Sequence, residues 1–124
     1  MTIKRLDHVN IQTTQLDKMI KWYEEVLGLK SGWRPNFPFA GAWIYAGDYP
    51  VVHLVEIDSD DTVGSEANLK LEHFAFSASD EAAFKSLLEA RGIDYRCGEP
   101  PKAGIRQYNV FDPDGNHIHI DFEV

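Results

Sequence analysis

The sequence predicts an α+β domain in which one β-α-β-β-β module is written twice. A histidine-centred strand pattern at residues 3–11 recurs at 69–76, and each copy is followed by an amphipathic helical stretch. Counterpart positions also keep nearly constant spacing: His8 and His73 lie 65 residues apart, Gly28 and Gly92 64, and His53 and His119 66. A period supported at three points marks an internal repeat. The boundaries expected are module one at 1–58, a polar, turn-rich connector at 59–68, and module two at 69–124. At 124 residues the chain suits one domain, and a lone module would leave a sheet face uncovered, so the two are expected to share a core.

The first strand, IKRLDHVNI, ends in alternating apolar residues. A helix follows, with Leu16, Met19, Ile20, Tyr23, Val26 and Leu27 at helical spacing, Thr14 placed as its cap and Gly28 as its stop. Its counterpart carries Ala83, Phe84, Leu87 and Leu88 on one face, Ser79 or Asp80 as cap and Gly92 as stop. Beyond each helix come two extended segments, GAWIYAGD with PVVHLVEI and IRQYNVFD with NHIHIDFEV, turning through DYP and DPDGN.

Composition excludes several roles. Apolar residues are 44% and charged residues 26% of the chain, ordinary for a soluble globular protein. A net charge of -8, with Lys4, Arg5, Lys18, Lys21 and Lys30 interspersed among acids, would repel a phosphate backbone, so nucleic acid is not an expected partner. No apolar run reaches the roughly 20 residues of a membrane span, and MTIKRLDHVN lacks a signal-peptide core, which makes the cytoplasm the expected location. Cys97 has no partner for an intramolecular disulfide, and its stretch YRCGEPP reads as a loop.

Strand parity brings the histidines to attention. Alternate residues face opposite sides of a sheet, so His8 shares a face with Leu6 and Asn10, His73 with Leu71 and Ala75, and His119 with His117 and Asp121. In VVHLVEI the apolar side is ambiguous, because His53 alternates among valines and leucine. Four of five histidines fall at repeat-related positions, so His8, His53, His73 and His119 are the expected ligands of a divalent transition metal (Fe, Zn, Ni, Co or Mn), for which imidazole nitrogen is suited. A single histidine at any of these sites would more often be a hydrogen-bonded cavity or surface residue; the repeat reverses that balance. His117, without a repeat partner, is expected to line the pocket.

In LDHVNIQT…LDKMIKWYEEVLGLK and LEHFAFSASD…LLEARGI…VFDPDGNHIHIDF the chain resembles the glyoxalase, bleomycin-resistance and extradiol-dioxygenase superfamily, also called vicinal oxygen chelate. The resemblance implies two modules forming an open, cupped mixed β-barrel, commonly completed as a homodimer. It also implies metal ligands on the first and last strands of each module, which map onto the same four histidines. One departure stands out: the family's final ligand is usually a glutamate, and here it is His119. The carboxylate that serves glyoxalase-type isomerases as a base is thereby lost. Asp121 has the parity to replace it and Tyr108 is the other acid/base candidate, with Asn109 where ring-cleaving relatives tend to keep a tyrosine.

The segment GWRPNFPFAGAWIYAG supplies aromatic residues for an apolar or flat substrate, among them Phe39 and Trp43, although each aromatic is as readily explained as packing. Arg34 or Arg106 could pair with a substrate carboxylate. Together with Asn109 and His117 these are the expected substrate contacts. The function that follows is a metal-dependent enzyme acting on a small oxygenated, aromatic or carboxylated molecule chelated to the metal, by dioxygenase or lyase/isomerase chemistry. The alternative is a non-catalytic protein that sequesters such a ligand in the same cleft.

Overall fold

The computed structural model describes residues 1–59 and 70–124. The expected connector therefore lies outside the described residues, apart from Ser59. The chain divides into two compact units, Met1–Leu69 and Lys70–Val124.

The first unit contains β1 (Val9–Thr13), α1 (Leu16–Glu25), β2 (Lys30–Gly32), β3 (Gly41–Ala46) and β4 (Tyr49–Glu56). The second contains β5 (Phe74–Ala78), α2 (Glu81–Ala90), β6 (Arg96–Gly98), β7 (Ile105–Phe111) and β8 (His117–Glu123). Each forms a four-stranded mixed sheet, ordered β1-β4-β3-β2 and β5-β8-β7-β6, in which the first strand pairs parallel to the last and the other pairings are antiparallel. The β-α-β-β-β repeat is thus present element by element.

One face of each sheet carries the core. Met19, Tyr23 and Val26 of the first helical segment are buried, as are Ala42, Ile44, Val52 and Leu54 of β3 and β4. Leu88 of α2 is buried, as are Tyr108, Val110, Ile118, Ile120 and Phe122 of β7 and β8, and Phe84 meets the rings of Tyr108 and Phe122 at 5.6 and 5.8 Å. Each large apolar side chain withdrawn from water in this way contributes about 1.5–3 kcal/mol. The ambiguity of VVHLVEI resolves here: Val52 and Leu54 are fully buried, while Val51, His53 and Val55 occupy the other face, half-exposed.

Several local expectations change. The strand expected over 3–11 begins only at Val9 and the one over 69–76 at Phe74, so His8 and His73 stand just before their strands. The pairing begins there although each neighbouring strand continues further back: Val9 pairs with Val52 of β4, which starts at Tyr49, and Phe74 with Ile118 of β8, which starts at His117. Thr14 does not cap α1. Gln15 holds the cap position, and the Gln15 amide donates to Thr13 Oγ1 at 3.1 Å. α2 is capped by Asp80, whose carboxylate accepts from the Ala83 amide at 3.2 Å, and Ala83 is exposed rather than in the apolar face. Gly28 and Gly92 adopt φ of 68° and 63°, as helix-terminating glycines do.

The first hairpin turns at Gly47–Asp48, with Tyr49 and Pro50 already in β4. The second is organised by buried Asp112, whose Oδ1 accepts the amides of Asp114 and Asn116 at 3.0 and 2.9 Å. Cys97 is exposed and lies in β6, not in a loop; three exposed residues leave no alternation for a sequence pattern to detect. Among the described residues no helix is long and apolar enough to cross a membrane.

Candidate metal centre and substrate face

In the first unit the sheet face opposite the helix brings His8 beside His53. Their rings stack at 3.8 Å and 8°, and Trp43, the cross-strand neighbour of His53, stacks at 4.2 Å and 13°. His8 Nδ1–H donates to Asp7 Oδ2 at 2.7 Å, which leaves Nε2 with the lone pair. His53 is oriented the other way: its Nε2–H donates to the Pro50 carbonyl at 3.0 Å, leaving Nδ1 free. Burial, and then the charge of His8, hold the His53 imidazole below its ordinary value, while the hydrogen bond from His8 lowers the Asp7 carboxyl.

The second unit repeats this arrangement with one imidazole more. His73 stacks on His119 at 3.9 Å and 13°, and His117 meets His119 edge-on at 4.8 Å and 69°. Glu72 spans two of them. One carboxylate oxygen accepts from His73 Nδ1, the other from His117 Nδ1 at 2.8 Å, and these bonds hold the Glu72 carboxyl below its ordinary range. His117 Nε2 lies 2.8 Å from Asn109 Oδ1, and Phe111 stacks on the ring at 4.9 Å.

His119 is 9% exposed, and its Nδ1 is buried without a hydrogen-bond partner. Burial, then the charges of His73 and His117, push its pKa down, which keeps it neutral and ligand-competent at pH 7. Asp121, two residues on and on the same face, has a buried Oδ1 that is also without a partner.

These residues fit a cation. One ligand nitrogen from each of His73, His117 and His119 lies within 4.8 Å of the others, the only such group among the described residues. Ligands at about 2.1 Å around a tetrahedral ion stand roughly 3.4 Å apart, so small ring movements close the difference. A lone pair lies in its ring plane, so the stacked rings of His73 and His119 must tilt to share an ion, whereas His117 already faces His119 at a steep angle. Ligation by His117 Nε2 would displace Asn109. His117, expected to line the pocket, therefore joins the ligand-competent group.

Two expected site residues are elsewhere. Tyr108 and Arg106 occupy the opposite face of β7, because residues 106 and 108 alternate with 107 and 109. Tyr108 is 2% exposed, its hydroxyl donates to Glu81 Oε1 at 2.7 Å, and burial together with that bond raises its pKa, so it is not an acid/base group beside His119. Arg106 is held by Glu81 at 2.7 Å and Glu99 at 2.6 Å, which occupies the charge expected to meet a substrate. Asn109, by contrast, lies cross-strand from His119. Arg34, Phe39 and Trp43 stay with the first unit's histidine side: Arg34 stacks over Phe37 and Phe39, and Phe37 meets Trp43 at 6.4 Å.

Asp7 and Glu72 escaped the sequence reading. Their signal was present, since each is an acid immediately before a repeat-related histidine, at the same 65-residue spacing.

The family model of the Glyoxalase/Bleomycin resistance protein/Dioxygenase superfamily matches residues 5–120. The chain is 30% identical over 120 residues to glyoxylase I 4 of Arabidopsis thaliana, spanning 93% of this chain and 68% of that protein. It is also 30% identical over 123 residues to a manganese-dependent 2,3-dihydroxybiphenyl 1,2-dioxygenase of Geobacillus genomosp. 3, spanning 92% of this chain and 38% of the dioxygenase. The fold is shared with the glyoxylase/bleomycin resistance protein/dioxygenase domain from Frankia sp. EAN1pec, at a TM-score of 0.78 and 20% identity over 99% of this chain and 94% of that one. With the family pattern running through both copies of the repeated module, the chain belongs to the Glyoxalase/Bleomycin resistance protein/Dioxygenase superfamily.

Proposed function

We propose that the protein is a metal-dependent enzyme acting on a small oxygenated, aromatic or carboxylated molecule whose oxygens bind the metal, through dioxygenase or lyase/isomerase chemistry. The observation that carries this is the group His73, His117 and His119, with Glu72 behind two of its rings and an unpartnered buried nitrogen on the third. A divalent cation held there would supply Lewis-acid polarisation of a substrate oxygen. His8 and His53 carry the same proposal in the first unit as a stacked pair, His8 backed by the Asp7 carboxylate and His53 by the Pro50 carbonyl. Asp121 is the carboxylate placed to hold or move a proton on the face of His119, and Asn109 can turn its amide toward a substrate once released from His117. Manganese, iron, zinc, nickel and cobalt all accept imidazole. The same reading gives a homodimeric, cytoplasmic protein, on the strength of the family and the composition.

The test is metal analysis of protein purified without chelator, followed by titration with each of these ions and oxygen-uptake assays with catechols. Stoichiometric metal that is lost in His73→Ala and His119→Ala supports the proposal. Metal-free protein with no affinity for any of the five ions overturns it. The partly exposed aromatic strip of the first unit favours one other reading, sequestration without catalysis, for which ligand binding would survive both substitutions.

A further inference from the structure

Arg34 is a cation of the first unit that its described surroundings orient without neutralising. Its guanidinium lies 4.8 Å from the centre of the Phe37 ring and 5.0 Å from that of Phe39, and Nη2 donates to the Phe39 carbonyl at 3.1 Å. Gly41 forms the floor: a Cβ there would run into the Leu54 carbonyl oxygen and would come within 2.9 Å of Nη2, so the glycine makes room both for the neighbouring strand and for the guanidinium. No acidic side chain among the described residues pairs with it, in a chain with 20 acids against 12 bases. Arg106 shows the contrast, since two glutamates occupy it. A line of rings leads from the apolar neighbours of Arg34 to the histidine pair of the first unit: Phe37 to Trp43 at 6.4 Å, Trp43 to His53 at 4.2 Å. Phe37 and Phe39 remain 38% and 46% exposed, so the apolar walls are open to a ligand.

We infer that Arg34, Phe37, Phe39 and Gly41 form an anion subsite that binds the carboxylate of a flat, apolar-bodied substrate. A planar guanidinium offers paired N–H donors that match a carboxylate, and the Phe37 and Phe39 rings, stacked on each other at 5.2 Å, stand together on one side of it as an apolar wall. The Trp43 ring then provides the surface for the flat body. This deepens the enzymatic reading by naming a substrate class and rests on that reading, but its residues are separate from the second unit's three histidines.

The experiment is calorimetric titration of the full chain with benzoate and with benzamide, its uncharged counterpart, in excess chelator so that no metal can hold the carboxylate. Benzoate is expected to bind in preference to benzamide. Arg34→Gln should weaken benzoate about 10- to 100-fold and leave benzamide unchanged, as the loss of a charge-assisted pair requires. Arg34→Lys, which keeps the charge but not the paired donors, should fall between. Equal binding of the two probes, absence of benzoate binding, or benzoate affinity unaffected by Arg34→Gln would each overturn the subsite. Metal titration of the same samples keeps the two claims apart. Benzoate failure with metal binding intact removes only the subsite, and the reverse removes the metal-dependent reading and leaves the subsite.

Discussion

Replacing His119 with leucine separates a histidine kept for ligation from one kept for packing. His119 is 9% exposed, and its Nδ1 is buried without a partner. Leaving a buried polar atom unsatisfied costs about 1–3 kcal/mol, whereas an apolar side chain of similar size carries no such cost. Against that gain stand the ring contacts with His73 and His117, each of the kind that contributes about 0.5–1.5 kcal/mol. The two terms nearly cancel, so in chelator His119→Leu should unfold within about 1 kcal/mol of the unmodified protein, a midpoint shift of roughly 3–6 °C at most. With metal in hundredfold excess over its dissociation constant the unmodified protein should gain about 2.7 kcal/mol, and the variant should gain much less. Thermal unfolding of both proteins, with chelator and with metal, measures all four values. A loss above about 2 kcal/mol in chelator would mean that His119 is a satisfied core residue. A full metal-dependent gain in the variant would remove His119 from the ligand set.

Two further outcomes follow from the same geometry. His53 and His119 have pKa values held below the ordinary histidine value of 6.5, so the unfolded chain binds more protons as pH falls through 6.5; metal-free protein should lose stability progressively from pH 7 toward pH 5, measurable by denaturant unfolding, and a flat profile across that window would contradict the burial argument. Tyr108→Phe removes a buried hydroxyl whose acceptor, Glu81, keeps Arg106 as a partner; it should cost about 1 kcal/mol in stability and leave metal affinity unchanged, whereas lost affinity would place Tyr108 back at the metal.

The legibility of the site followed strand parity. Asp121 and His119 share a face because alternation is a property of the backbone, and parity in the sequence is enough to group them; Asn109 joins them only through the register that sets it opposite His119. Applied strictly, parity also separates Tyr108 and Arg106 from that group. They were nominated for their chemistry, and the two glutamates that claim them come from α2 and from the segment before β7, partners that a strand pattern does not reveal. β1 and β5 start later than the apolar pattern predicts, at Val9 and Phe74, because a strand is defined by its pairing with a partner distant in sequence, and that pairing is not written locally.

The sequence by itself determined the duplicated β-α-β-β-β module, the helix-terminating glycines and the placement of His8, His53, His73 and His119 at corresponding points of the repeat, because backbone periodicity and repeat spacing are local properties. Tertiary structure decided which side chains are already spoken for. It stacked His8 on His53 and His73 on His119, set Glu72 behind two imidazoles, drew His117 into the ligand-competent group, neutralised Arg106 with glutamates and left Arg34 beside a stacked pair of phenylalanine rings, with no acidic partner among the described residues. The physical reason is that hydrogen bonds, ion pairs and ring contacts depend on distances of a few ångströms between residues far apart in sequence, and folding sets those distances.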